Sequence, residues 1–138
     1  MIPCFVLDTG ALIEAERPGP RMRGFLSMVH HGRAAAVTPT SCVLEWWRKR
    51  TDRCEKVLAL VNVEPLTLAA AQAAGVALGK MKERVDSKLS IDASVLATAS
   101  LLGAMVLTGD FDDLSRVATH FPGVRVLSSR SEGGSSAR

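Results

Sequence analysis

SIDASVLATASLLGAMVLTGDFDDL, residues 90–114, reads as a helix, a glycine turn, a buried strand and an acidic loop. Ile91, Val95, Ala99 and Leu102 recur at helical spacing. Ser90 offers N-cap chemistry, which places Asp92 in the first helical turn. Gly103 ends the helix. Residues 104–107 make a short strand, too apolar to face water on either side. That strand runs into Thr108-Gly109-Asp110, with Asp112 and Asp113 just beyond. An acid at a helix start, and more at the end of the next strand, are expected to face one metal site.

Outward from this stretch, short apolar runs alternate with helical patterns. Residues 2–7 read as a buried strand that ends at Asp8, and residues 8–14 as a short helix. Pro18-Gly19-Pro20 is a break. Residues 21–31 are an amphipathic helix, closed by Gly32. Residues 34–38 form a second strand and 41–50 a third helix, with Glu45 set among Val43, Leu44, Trp46 and Trp47. A helical stretch at 52–60 precedes a strand at 61–66. Thr67 caps an Ala-rich helix over 68–83, where Gly75 and Gly79 are expected to allow close packing. Residues 84–89 read as a polar loop. After the acidic loop come a short helix over 111–120, a Pro122-Gly123 turn and a last strand at 124–127. The Ser/Gly/Arg-rich residues 128–138 are expected to form a disordered tail.

This alternation predicts α/β architecture: one domain over residues 1–127, with a central, mostly parallel sheet of about five short strands flanked by helices. Ligands of open parallel sheets bind beyond the carboxyl ends of the strands, and Asp8 and Asp110 both stand at such ends.

Composition narrows the function. At 138 residues, 47% of them apolar and 22% charged, the chain is large enough for a globular core. A net charge of +3 permits an anionic partner without demanding one. The absence of tyrosine and the scarcity of other aromatics argue against base-stacking platforms. Cys4, Cys42 and Cys54 fit neither a disulfide framework nor a zinc pattern, as expected of reduced thiols in a cytoplasm. The first residues carry no basic leader, so no signal peptide is expected. Residues 93–109 are uncharged but too short, and interrupted by Gly103, for a membrane span. Gly75-x-x-x-Gly79 lies inside a helix and has no phosphate-loop context.

Several carboxylates held close together repel one another, and a divalent cation removes the conflict. Oxygen ligands favour Mg²⁺, or Mn²⁺, over zinc or copper. Each acid also has a plain structural reading: Asp8 as a helix cap, Asp92 as a dipole-favoured acid, Asp112 and Asp113 as first-turn acids. Arg48, Lys49 and Arg50, with Arg53, read either as a solvated face or as a phosphate-tracking rim. His30-His31 reads as a helix end rather than a ligand pair.

The runs Phe5-Val6-Leu7-Asp8-Thr9-Gly10-Ala11-Leu12 and Val106-Leu107-Thr108-Gly109-Asp110-Phe111-Asp112-Asp113-Leu114 resemble the PIN domain, in particular toxin ribonucleases of the VapBC type. Between them, Glu45 with Arg48 and Ile91-Asp92-Ala93 with Ala97 and Ala99 keep the family's order and spacing. The resemblance implies a PIN-like fold and a Mg²⁺-dependent endoribonuclease. It implies Asp8, Glu45, Asp92 and Asp110 as the catalytic acids, with Asp8, Asp92 and Asp110 on the metal. Thr108 and either Asp112 or Asp113 would be auxiliary; on the phosphate-tracking reading of the charge run, Arg48, Lys49 and Arg53 would face RNA. It further implies a homodimer and a small cognate antitoxin. Gly10 stands where the family often has Ser, a change expected to be harmless. The rival reading is a non-catalytic PIN scaffold that binds RNA or protein.

Overall fold

The computed structural model describes residues 1–131. In chain order, the first half holds β1 (Cys4–Leu7), α1 (Thr9–Glu16), α2 (Pro20–His30), β2 (Ala35–Pro39), α3 (Thr40–Trp47), α4 (Asp52–Leu58) and β3 (Asn62–Glu64). The second half holds α5 (Leu68–Lys80), α6 (Ser87–Leu102), β4 (Met105–Thr108), α7 (Phe111–Ala118) and β5 (Val126–Ser128). All neighbouring strands pair in parallel, in the order β3-β2-β1-β4-β5. This is the α/β sheet of five short strands that the alternation predicts.

The central strands are apolar on both faces because helices cover them. Val6, Leu7 and Val106 are buried, with Val6 opposite Val106 and Leu7 opposite Leu107 in register. Helix α6 packs against β1, β2 and β4 and against α3, α5 and α7. It is therefore buried without a break from Asp92 to Ala99. Its buried hydroxyls bond locally: Ser94 donates to Ile91 O at 2.6 Å, and Thr98 to Ser94 O at 2.8 Å. Ser41 and Ser94 share a hydrogen bond of 2.8 Å that ties α3 to α6.

Four sequence expectations need correction. Helix α6 begins at Ser87, within the expected polar loop, because Asp86 caps it by accepting from Leu89 N at 2.8 Å. Asp92 thus lies in the second turn, and Ser90 is not the cap. Leu102 is exposed, and the helix is buried on all sides from Asp92 to Ala99 rather than along the one spacing of Ile91, Val95, Ala99 and Leu102. Gly75 and Gly79 lie on the open side of α5, where an added Cβ would meet nothing within 4 Å. Ala70, Ala74 and Ala77 supply the buried side instead. Finally, the expected tail begins too early. Ser128 belongs to β5, and Ser129 is buried and donates its N–H to Thr108 O at 2.8 Å. Arg21 fastens the same turn through Ser128 O at 3.3 Å. The rest of that expected tail, residues 132–138, lies outside the described residues.

Gly103 does end α6, in the left-handed region at φ 65°. Trp46 is buried and Trp47 half-buried, their rings edge to face at 5.6 Å. His30 and His31 form the end of α2, with His31 Nδ1 2.8 Å from Ser27 O. Among the described residues, no helix is long and apolar enough to cross a membrane.

Candidate metal centre

The sheet order reverses between β1 and β4. One strand leads through α1 toward β2, the other through α7 toward β5, and a crevice opens between their carboxyl ends. Asp8 follows β1 and Asp110 follows β4. The amino end of α6 brings Lys88 and Asp92 to the same place.

Asp8 is 5% exposed and does two jobs. Its Oδ1 caps α1, accepting from Ala11 N at 2.8 Å, and also accepts from Gly109 N at 3.2 Å. Its Oδ2 accepts from the Thr108 hydroxyl. Thr108 Oγ1 accepts in turn from Asp110 N at 2.9 Å, so one buried hydroxyl links the two strand-end acids. Burial raises the Asp8 carboxyl above its usual range, and the bonds from Thr108, Ala11 and Gly109 oppose that rise. Asp110 is the N-cap residue of α7 but makes no capping bond with its side chain. Its carboxylate is left facing the crevice.

Three acids converge on one ammonium. Lys88 Nζ lies 3.0 Å from Asp92 Oδ2, 3.4 Å from Asp110 Oδ2 and 3.6 Å from Asp113 Oδ2. Burial pushes Asp92 up to about 6, Lys88 pulls it down, and Asp8 and Asp110 add to the rise by like-charge repulsion. Burial alone would lower the Lys88 ammonium, but Asp92 and Asp110 hold it well above the usual lysine range. Of the two acids left open by the sequence, Asp113 joins the ammonium, whereas Asp112 lines the cleft.

Two glycines allow this approach. A Cβ on Gly109 would fall 2.7 Å from Gly10 C and 2.8 Å from Gly10 O. A Cβ on Gly10 would fall 3.1 Å from Gly109 Cα. A side chain at position 10 would be tight against Gly109, and the Gly that this chain carries there accommodates the close contact.

The cleft, of about 1410 Å³, is larger than a single metal needs. Glu45 lines it, half-buried, with no hydrogen bond or ion pair among the described residues. Helix α3, which carries Glu45, is fastened by Glu16. That carboxylate accepts from Trp46 Nε1 at 2.8 Å and from Thr51 Oγ1 at 2.5 Å. Arg48 and Lys49 line the cleft; Arg53 is exposed and does not, so the structure separates it from its expected companions. Arg21, Arg125 and Arg130 form a second basic group on the wall. Sequence reading missed these, and missed Lys88, because each comes from a different segment. Lys88 alone carried a signal, its i,i+4 spacing to Asp92. Cys42 is buried beneath the site, and burial pushes its thiol up to about 12, so it stays protonated.

The donor set fits a hard divalent cation in chemistry, since every candidate ligand is a carboxylate or hydroxyl oxygen. Among the described residues, however, no three acidic, His or Cys side chains stand ready-made around one metal position. Asp8 is committed to its own hydrogen bonds, and Lys88 holds the space the other acids face.

The raised Asp92 carboxyl has a measurable consequence. A carboxyl held near 6 in the folded chain, against an ordinary 3.8, favours folding while protonated and loses that benefit as pH rises. Relative to Asp92→Asn, the metal-free protein should lose on the order of 3 kcal/mol between about pH 4 and pH 7. Thermal melts of both proteins in chelator across that range measure the difference. A gap independent of pH contradicts the assignment.

Fold and site together define a class: a doubly wound parallel α/β domain whose switch-point cleft gathers several carboxylates between basic walls. Solved structures with this fold include a chain of VapBC2 from Rickettsia felis bound to a promoter DNA fragment, at 11% identity and TM-score 0.67 over 91% of this chain and 98% of that one. A chain of DNA-bound VapBC from Salmonella typhimurium matches at 17% identity and TM-score 0.65, over 94% of this chain and 100% of that one. VapC20 of Mycobacterium tuberculosis, a sarcin–ricin loop cleaving toxin, matches at 21% identity and TM-score 0.58, over 81% and 93%. The PIN-like fold implied by the sequence resemblance is thus the fold observed. No protein-family model and no curated protein matches the chain.

Proposed function

We propose that this protein is a Mg²⁺- or Mn²⁺-dependent endoribonuclease and the toxin of a type II toxin–antitoxin pair. The observation that carries the reading is the convergence of Asp92, Asp110 and Asp113 on one cationic point, with Asp8 joined to Asp110 through Thr108. The fold shared with VapC20 and with chains of VapBC complexes supports it.

Asp8, Asp92 and Asp110 would hold the metal, which, when bound, activates water and neutralises charge on a phosphodiester. Thr108, with Ala11 and Gly109, fixes the orientation of the Asp8 carboxylate, which lines the cleft. Glu45, without a partner among the described residues, would orient the attacking water or take its proton. Arg48 and Lys49 on one side, and Arg21, Arg125 and Arg130 on the other, would steady the RNA backbone. A small cognate antitoxin entering this groove, a homodimer and a cytoplasmic location belong to the same proposal.

The non-catalytic scaffold is favoured by one observation, the lysine standing among the acids. Incubating the purified chain with total RNA, with Mg²⁺ or with EDTA, separates the two. Mg²⁺-dependent cleavage at discrete sites, stopped by EDTA, is expected. RNA that is bound but intact in Mg²⁺ contradicts the nuclease reading.

A further inference from the structure

We propose that Lys88 is a built-in counter-ion that holds the metal's place in the metal-free protein, so that a divalent cation must displace its ammonium to bind. The inference rests on the metal-site reading above and adds a residue that neither the sequence motifs nor that reading assigns.

The geometry differs from that of an ordinary surface pair. Lys88 reaches Asp92 on its own helix at i,i+4, and also Asp110 at the end of β4 and Asp113 in α7. One nitrogen therefore ties the amino end of α6 to the β4–α7 junction. Its reach is one-sided, since the Lys88 side chain is 51% exposed while the Asp92 side chain is 13% exposed. Asp110 and Asp113 are half-exposed like the lysine, at 47% and 49%, so the cluster is open to solvent on that side, and the ammonium sits on a flexible four-carbon arm that can swing away. A lysine ammonium and a hydrated divalent cation answer the same electrostatic need, but both cannot occupy the point where the acids converge. The resulting competition protects the fold from carboxylate repulsion when metal is absent and weakens metal binding when it is present.

Lys88→Met keeps the length and removes the charge; Lys88→Arg keeps a charge. The probe is Mn²⁺ alone, titrated calorimetrically into the chelator-treated full chain, alongside metal-free thermal melts. Lys88→Met should bind Mn²⁺ roughly tenfold tighter than the wild type. It should melt lower without metal, with the deficit closing at saturating Mn²⁺. Lys88→Arg should stay close to the wild type in both. Equal or weaker Mn²⁺ binding by a folded Lys88→Met protein overturns the competition, while the metal site itself survives if Asp92→Asn abolishes binding. Absence of Mn²⁺ binding in both wild type and Lys88→Met overturns this inference and the metal-site reading together.

Discussion

Asp92→Asn is expected to lower Mg²⁺-dependent RNA cleavage by about 10³-fold or more while leaving the fold intact. The substitution keeps shape and hydrogen-bonding capacity but removes one of the charges that a hard cation needs. Structural damage is not expected, because Asp92 makes no capping bond; its hydrogen bond is to Lys88, at the half-exposed end of that pair. The helix starts one turn earlier, on Asp86. Near neutral pH the metal-free variant should melt no lower than the wild type, since the burial that raises Asp92 then acts against the charged form. Cleavage rates with Mg²⁺, and melting in chelator, test both halves. A variant that keeps near wild-type cleavage removes Asp92 from the chemistry.

The largest effect on stability is expected at Gly109. In Gly109→Ala the new methyl falls 2.7, 2.8 and 2.9 Å from three backbone atoms of Gly10, which cannot rotate away as a side chain can. Either the β4 end or the start of α1 must move. We expect a loss of about 3 kcal/mol or more, at the upper end of ordinary overpacking. The same movement would break the Gly109 N–H bond to Asp8 and shift Asp110 relative to Asp8. Gly75→Ala is the control. A methyl there meets nothing, and alanine favours the helix, so a gain of about 0.5–1 kcal/mol is expected. Denaturant unfolding of the two variants should give opposite signs. A neutral Gly109→Ala would mean that the strand end and α1 are not held in contact.

The two results explain what a sequence reader can and cannot recover. Burial on both faces leaves its mark in the strand as an unbroken apolar run, so Val6, Leu7 and Val106 placed β1 and β4 correctly. Two strand ends that finish in aspartate then located the crevice. Asp8 also shows why cap and site readings need not compete: one oxygen caps α1 and the other meets Thr108. What failed was whatever depends on which segments meet. Gly75 and Gly79 have the spacing of packing residues, while Gly109 and Gly10, ninety-nine positions apart, make the close contact. The polar, charged run 84–89 hides the start of α6, although Asp86 is a good cap. Lys88 was hidden for the same reason. Its meaning comes from Asp110 and Asp113, which the linear sequence does not bring near it.

Crystals of the metal-free protein soaked in Mn²⁺ and measured at the manganese absorption edge put the central claim to its most direct test. An anomalous peak should appear between the carboxylates of Asp92 and Asp110, with the Lys88 ammonium moved out of the position it holds beside them. Manganese bound elsewhere on the surface, with Lys88 still seated between those acids, would contradict it.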